Sequence, residues 1–219
     1  MKELDLLGDH WAACMRSGRV RRRARPLEKT WAKVFREAGA RVQENVLLRD
    51  LAVPGIAVTD GRALEIIATG LPLARGVPLA VDATMVSPLQ CEGKPWARAA
   101  AVAGASLDRA AGSKASTYPE LVGSDMVTLT TLACEIGGRW SAKCAEVLQQ
   151  LAVARARSAP RHLQLSARLG YESRWWTLLS CAQQEALAAT LVDDSLILLD
   201  GRDEPEPFTV DVILDDMTS

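Results

Sequence analysis

The sequence predicts an α/β fold in which a small mixed sheet is flanked by helices and followed by a helical C-terminal extension. Short apolar strand patterns follow an initial helical pattern, and the chain returns to helical spacing from Ser141 onward. A helical crossover separates the last strand pattern from the earlier ones. Elements in this order are typical of layered α/β domains.

The first helix is predicted over residues 26–39. Apolar residues recur there at helical spacing from Leu27 to Phe35, while Pro26 suits a first turn and Gly39 suits a helix end. Three strand patterns come next: RVQENVLL, ALEIIATG and PLAVDATMVSPL. A loop rich in Pro and Gly separates the first two, and LPLARG between the last two is typical of a hairpin connection.

The crossover is predicted to contain a helix from about Trp96 to Ala111, which leads to Lys114. A further apolar strand, VTLTTLACEI, ends at a pair of glycines. The remaining patterns predict helices over AKCAEVLQQLAVARARSA, RHLQLSARLG and ESRWWTLLSCAQQEALAATLV, with a break at Pro160 after the first. A short strand, SLILL, is expected in the acidic C-terminal tail.

Composition favours one compact intracellular domain. The chain has 219 residues, of which 48% are hydrophobic and 24% charged, so it has enough apolar material for a core. Neither a membrane-spanning run nor a signal peptide is recognisable. The five cysteines are scattered without a CxxC pair, which predicts mostly reduced, buried thiols. Trp175 and Trp176 are expected to pack in the core and at its rim.

Charge is concentrated at the two ends of the chain. The C-terminal stretch is strongly acidic, whereas MRSGRVRRRARP is rich in arginine. Such a basic cluster can hold phosphates, or it can form a solvated helix face without a ligand. The candidate nucleic-acid contacts in this cluster are Arg19, Arg21, Arg22, Arg23 and Arg25.

Asp82 stands within the apolar strand pattern LAVDATMVSPL, where a carboxylate is costly unless it is paired, hydrogen-bonded or bound to a metal. Hairpin pairing would bring it beside Glu65 of the preceding strand, so that two carboxylates share a divalent cation. Lys114 would then offset charge growing on a phosphate. The alternatives stay open: Asp82 accepts backbone amides or pairs with an arginine, Glu65 faces solvent, and Lys114 lies on the surface.

The motifs of the chain follow a specific order. LDLLGDHWAAC is followed by GRALEIIA, LAVDATMVSPL, KASTYPEL and LACEIGGRW, from about residue 4 to residue 150. This order resembles the restriction-like endonuclease region, of the PD-(D/E)xK type, that follows the reverse transcriptase in site-specific non-LTR retrotransposon proteins. DATMVSPL and EIGGRW are the strongest pieces of the resemblance.

The resemblance implies a restriction-endonuclease-like core in which Asp82 and Glu65 bind Mg²⁺ or Mn²⁺, with Lys114 as the basic partner. The implied reaction is a nick in duplex DNA that supplies the primer end for reverse transcription. DNA is therefore the implied partner, together with the reverse transcriptase and RNA of the parent element, in the nucleus. The further residues that the resemblance places at the site are Glu135 and Tyr118, and Glu37 on the first helix.

The chain departs from the family pattern in three respects, of which the first is that Lys114 lies in the diluted stretch AGSKAS, whereas the lysine of many related chains lies in a denser basic run. The first acid of the family is usually an aspartate after proline, whereas this chain has RALE, so Glu65 takes that place. Asp60 in VTDGR competes for the same role or simply forms a turn. The CxxC of the family's zinc knuckle is missing, and His10 and Cys14 alone cannot close a four-ligand zinc site. These departures suggest a fragment that is drifting away from activity.

Four segments are predicted: a remnant of the knuckle with the arginine-rich arm (1–25), the core (26–150), a helical extension (151–192) and the acidic tail (193–219). The first functional hypothesis is a metal-dependent DNA endonuclease domain. The second is a catalytically inactive module of the same fold that binds nucleic acid or protein. A third is an α/β domain of unrelated purpose. No membrane partner is expected.

Overall fold

A computed structural model of the chain describes residues 19–73, 76–90 and 92–191, with side chains for residues 24–189 of these ranges. The helices and strands are α1 (Arg19–Glu37), β1 (Arg41–Leu47), β2 (Ala63–Thr69), β3 (Leu79–Val86), α2 (Ala105–Thr117), β4 (Thr128–Glu135), α3 (Ala142–Ala156) and α4 (Gln164–Leu191). Single turns of 3-10 helix lie at Leu48–Asp50, Pro119–Leu121 and Arg161–Leu163. The α/β class predicted from the sequence is confirmed.

The strands in the described ranges form one mixed sheet in the order β1-β2-β3-β4. β2 is antiparallel to both β1 and β3, which confirms the predicted hairpin connection, and β4 is parallel to β3 after the crossover through α2. The register sets Ile66 opposite Val81 and Asp82 opposite Thr131. The helical crossover supplies the long connection that a parallel pair of strands requires.

The larger part of the core lies on the sheet face that α1, α3 and α4 cover. Trp31 and Phe35 of α1, spaced by one helical turn, are completely buried there with Trp175 and Leu179 of α4. Leu151 of α3 belongs to the same cluster. This packing confirms that Trp175 is a core residue, and the half-buried Trp176, 5.8 Å from the Trp140 ring centroid, lies at the rim.

The opposite face of the sheet is covered by α2 and the turn that follows it. Leu107 and Ala110 of α2 pack against β4, and Tyr118 packs with Ala80 of β3 in a separate cluster. Side chains alternate between the two faces of a strand, so Asp82 projects on the same face as Ala80. The fold therefore directs the buried carboxylate toward α2.

Helix bounds differ from the predictions at three places. α1 begins at Arg19 and contains Pro26, because the preceding arginines are good helix formers and Pro26 does not mark a unique start. α2 begins at Ala105, since Gly104 has φ 84° and Arg98 has φ 67°, and left-handed backbone cannot continue a right-handed helix. The last two predicted helices form the single helix α4.

The join within α4 passes through Gly170, and one glycine costs a helix interior only about 1 kcal/mol. The predicted segment boundary at residue 150 falls inside α3, and α4 shares its core with α1.

Cys134 and Cys144 carry buried thiols, as predicted, whereas the thiol of Cys181 is exposed. The predicted strand SLILL and the acidic tail lie outside the described residues, as do His10 and Cys14.

Across the described ranges, no helix combines the length and apolar character needed to cross a bilayer.

Candidate active site

Asp82 and Lys114 form the centre of the site. Asp82 lies in the middle of β3 and is only 1% exposed, and the Lys114 Nζ reaches its Oδ2 at 2.7 Å from the last turn of α2. The other carboxylate oxygen, Oδ1, is buried and accepts no hydrogen bond from the described residues. A buried carboxylate oxygen without a partner is costly, so Lys114 compensates Asp82 only in part.

Glu65 lies beside Asp82 on the same face of the sheet. The β2–β3 ladder ends at Ile66 opposite Val81, and the next position along β2 is Glu65. Its carboxylate accepts the backbone N–H of Ala83 at 2.5 Å. The side chain of Glu65 therefore bonds β3 just beyond the last ladder pair.

The pairing of β1 with β2 is also interrupted at Glu65. Ladder pairs flank it on either side, Glu44 with Ile66 and Val46 with Leu64, but Asn45 between them has φ 54° and pairs with no residue of β2. A left-handed residue disrupts a strand ladder locally. The sheet is thus irregular around the Glu65 carboxylate, as is common next to functional sites.

Glu28 of α1 is a third carboxyl group near the pair, and the sequence analysis missed it. Glu28 is half-buried, and both Asp82 and Lys114 act on its pKa electrostatically. The available signal was its place beside the buried Leu27, at the boundary between the arginine run and the apolar face of the helix. A search restricted to strand acids passes over this residue.

Burial perturbs the protonation of the whole cluster. It raises the pKa of Glu65 to about 8, with further increases from the charges of Asp82 and Glu28. Burial also raises the pKa values of Asp82 and Glu28, and Lys114 opposes both increases. For Lys114, burial lowers the pKa, but the bond and charge of Asp82 outweigh it and the net pKa is raised. Three carboxyl groups thus share one ammonium, which leaves a negative potential that favours a proton or a cation.

The donor set fits a hard divalent cation. Asp82 and Glu65 offer carboxylate oxygens on one face, and Asp82 Oδ1 has no partner within the described residues. In those residues, no three His, Cys, Asp or Glu side chains form a closed metal cluster. Mg²⁺ commonly takes one or two carboxylates and completes its coordination with water and phosphate, so two acids are sufficient for it.

Tyr118 lies at the site and connects two of its elements. Its hydroxyl donates to the carbonyl of Ala63 at 3.0 Å, and its backbone N–H donates to the carbonyl of Lys114 at 3.0 Å. Burial raises the pKa of Tyr118, and the charge of Asp82 adds to this increase. The residue therefore fixes the end of α2 against the start of β2 and positions Lys114 relative to Glu65.

Asp60 takes the turn role that the sequence left open. It accepts from the Arg62 backbone N–H at 2.8 Å and from the Arg62 Nη2 at 2.6 Å. Arg62 also bonds Glu120 at 2.8 Å and the carbonyl of Thr117. This network supports the end of α2 from outside and gives Asp60 a structural task.

Two sequence-predicted acids lie away from the cluster. Glu135 is at the end of β4, opposite Val86 and 3.7 Å from the Nε of Arg139. Asp82 lies four residues back along β3 from Val86, or roughly 13 Å at the usual strand rise. Glu135 therefore belongs to the glycine turn.

Glu37 instead joins α1 to α4. It accepts from the Trp175 Nε1 at 2.8 Å and from the Arg174 Nη2 at 2.9 Å, and these bonds lower its pKa. It is nine residues from Glu28, or roughly 13 Å along the helix. The acid that α1 brings to the cluster is therefore Glu28.

The arginine run occupies the first two turns of α1. Arg25 is exposed, and its charge acts on Glu28, which places the end of the run close to the carboxyl cluster. The side chains of Arg19, Arg21, Arg22 and Arg23 lie outside the described part of the chain.

No family model matches the chain, and no curated protein matches it.

Proposed function

We propose that the chain is a metal-dependent DNA endonuclease domain that nicks duplex DNA by hydrolysing a phosphodiester bond. The observation that carries the proposal is the state of Asp82: a buried carboxylate with Lys114 on one oxygen, no partner in the described residues on the other, and Glu65 beside it. An acid pair next to a lysine suits phosphoryl chemistry, in which negative charge grows on the phosphate oxygens.

Each residue has a defined task in this proposal. When bound by Asp82 and Glu65, Mg²⁺ or Mn²⁺ would supply Lewis-acid stabilisation of the phosphate. Lys114 keeps its proton because its pKa is raised, and its ammonium has three N–H donors, of which Asp82 engages one. The remaining donors are available to a phosphate oxygen. Burial raises the pKa of Glu65 to about 8 without a cation, so a cation that binds this carboxylate must displace its proton.

The arginine-rich turns of α1 would neutralise backbone phosphates on either side of the scissile bond. Arg25 is the exposed member nearest the carboxyl cluster. Together with the family resemblance, this arrangement supports a nick that primes reverse transcription. Under that proposal, the chain acts in the nucleus with the reverse transcriptase and RNA of a parent element.

A second candidate is a catalytically inactive module that binds nucleic acid or protein. It is favoured by the fact that the cluster is partly satisfied without a cation: Lys114 bonds Asp82, and the Ala83 N–H bonds Glu65. Such a module would keep the arginine-rich turns and lose the cleavage step.

Incubation of the full chain with supercoiled plasmid and Mg²⁺ or Mn²⁺ tests the proposal. Nicked circles are expected, and Asp82→Asn should reduce their rate by at least about 100-fold, as loss of a principal electrostatic group does in enzymes. Asp108→Asn is the matched control, since it makes the same chemical change at an exposed position of α2. Equal nicking by Asp82→Asn would identify a contaminating nuclease. DNA binding that weakens steeply with salt, without cleavage, would establish the inactive module.

A further inference from the structure

The outer edge of β4 is covered along only half of its length. The N–H of Ser141 donates to the carbonyl of Ala133 at 2.9 Å, and the N–H of Glu135 donates to the carbonyl of Arg139 at 2.7 Å. The N–H and C=O of one residue point to the same side of a strand and alternate from residue to residue, so Leu129 and Thr131 also point outward. On this outer side, no backbone group in the described ranges forms a hydrogen bond with Leu129 or Thr131.

Two cavities of similar volume open beside this uncovered edge, on opposite faces of the sheet. The cavity on the α3 side has about 400 Å³, and its lining includes the charged residues Asp125, Lys143 and Glu146. The cavity on the α2 side has about 420 Å³ and is lined by apolar side chains that include Ala115 and Leu121. Thr130 lines both. An edge with a side-chain cavity on each face is the geometry of strand addition, in which alternate side chains of a bound segment enter opposite cavities.

We propose that this edge binds an extended segment as an additional strand, and that the occupant is residues 207–214 of the same chain, PFTVDVIL. The segment is rich in β-branched and aromatic residues, which favour strands. Its side chains alternate in character: Phe208, Val210 and Val212 would enter the apolar cavity. Asp211 would then lie on the other face, where Lys143, which is 3.0 Å from Glu146, is the basic residue of the cavity lining.

The chain is long enough to make this contact. Sixteen residues, 192–207, separate the end of α4 at Leu191 from Phe208. When extended they reach about 55 Å, whereas α4 itself is about 42 Å long. The segment can therefore reach any edge of the domain. Pairing would also remove an open strand edge, which is a template for association with other chains.

Amide hydrogen exchange of the full chain, followed by NMR, tests this inference directly. The amides of Leu129 and Thr131 should be protected at least about 100-fold relative to an unstructured peptide. Val210→Pro/Asp211→Pro removes two successive N–H donors, which point to opposite edges of the added strand, and it should accelerate exchange at both amides at least tenfold. The amide of Thr130 points toward β3 and serves as the internal reference, since its exchange should not change.

Ile197→Pro/Leu198→Pro is the matched control in the other apolar part of the tail and should leave both amides protected. A charge exchange adds a second measurement: Lys143→Glu should weaken the protection, and Asp211→Lys in the same chain should restore it. Fast exchange in the unmodified chain would overturn the inference, and so would acceleration by the control variant. Protection that depends on protein concentration, with a dimeric mass, would assign the edge to a second copy. None of these outcomes depends on DNA cleavage.

Discussion

Lys114 Nζ lies 2.7 Å from Asp82 Oδ2, although α2 carries the lysine and β3 carries the acid. The pair explains how a carboxylate persists in an apolar strand, since the ammonium stabilises the charged form. It also leaves one carboxylate oxygen without a partner among the described residues. This half-compensated state governs the behaviour expected of the site.

Removal of the lysine should destabilise the fold. Lys114→Met leaves Asp82 buried without its charged partner, so the free energy of unfolding should fall by about 1–3 kcal/mol at pH 7. Combining it with Asp82→Asn should recover most of the loss, because the unpaired charge of Asp82 is then removed. The matched control is Lys29→Met, which makes the same chemical change at an exposed position of α1 and should change the free energy by less than about 0.5 kcal/mol. Urea denaturation measures all four chains, and an equal loss in both single variants would contradict the account.

Glu65 should make stability depend on pH. Burial holds its folded pKa at about 8, above the ordinary value of 4.5, so the folded chain keeps a proton that the unfolded chain loses. The free energy of unfolding should therefore fall as the pH rises from about 4.5 to about 8, by up to about 1.4 kcal/mol per pH unit. Glu65→Gln should flatten this region of the profile, whereas Glu185→Gln, at an exposed position, should leave it unchanged. A profile that Glu65→Gln does not alter would place the proton elsewhere.

A divalent cation should stabilise the folded chain by occupying the oxygens of Asp82 and Glu65. At a concentration 100 times the dissociation constant, the gain is about 2.7 kcal/mol, which is measurable as a rise in Tm. The rise should grow between pH 6 and pH 8, because binding requires Glu65 to lose its proton. Asp82→Asn should abolish it, and Asp108→Asn should not. A rise of equal size in Asp82→Asn would show that the cation binds at another place.

Glu28 and Glu37 lie on the same helix and should respond in opposite ways. Glu37→Ala leaves the indole N–H of the buried Trp175 without its acceptor, so it should lower the free energy of unfolding by about 1–3 kcal/mol. Cation binding should stay the same, since Glu37 is remote from the cluster. Glu28→Gln should preserve stability but weaken cation binding, because it removes a carboxyl group from the cluster. Denaturation and the Tm rise with Mg²⁺, measured on both variants, distinguish the two roles; weaker binding by Glu37→Ala would reverse the assignment.

The sequence alone determined the class of the fold, most of its elements and the central residues of the candidate site. Apolar periodicity located the four strands and the core-facing side of α1, because burial on one face imposes a repeat that is visible in sequence. Asp82 was identified because a charge in an apolar strand requires compensation.

Only the tertiary structure decided which charges meet. The Asp82–Lys114 bond depends on how the crossover returns α2 over β3, and the proximity of Glu28 depends on how α1 packs on the opposite face. Glu37 lies on the same helix as Glu28, and Glu135 lies on an apolar strand as Glu65 does. Glu37 and Glu135 nevertheless pair with arginines at other points of the fold. Electrostatic interactions act through distances in space, and sequence patterns report local periodicity, so the composition of a charged cluster emerges only from the packed chain.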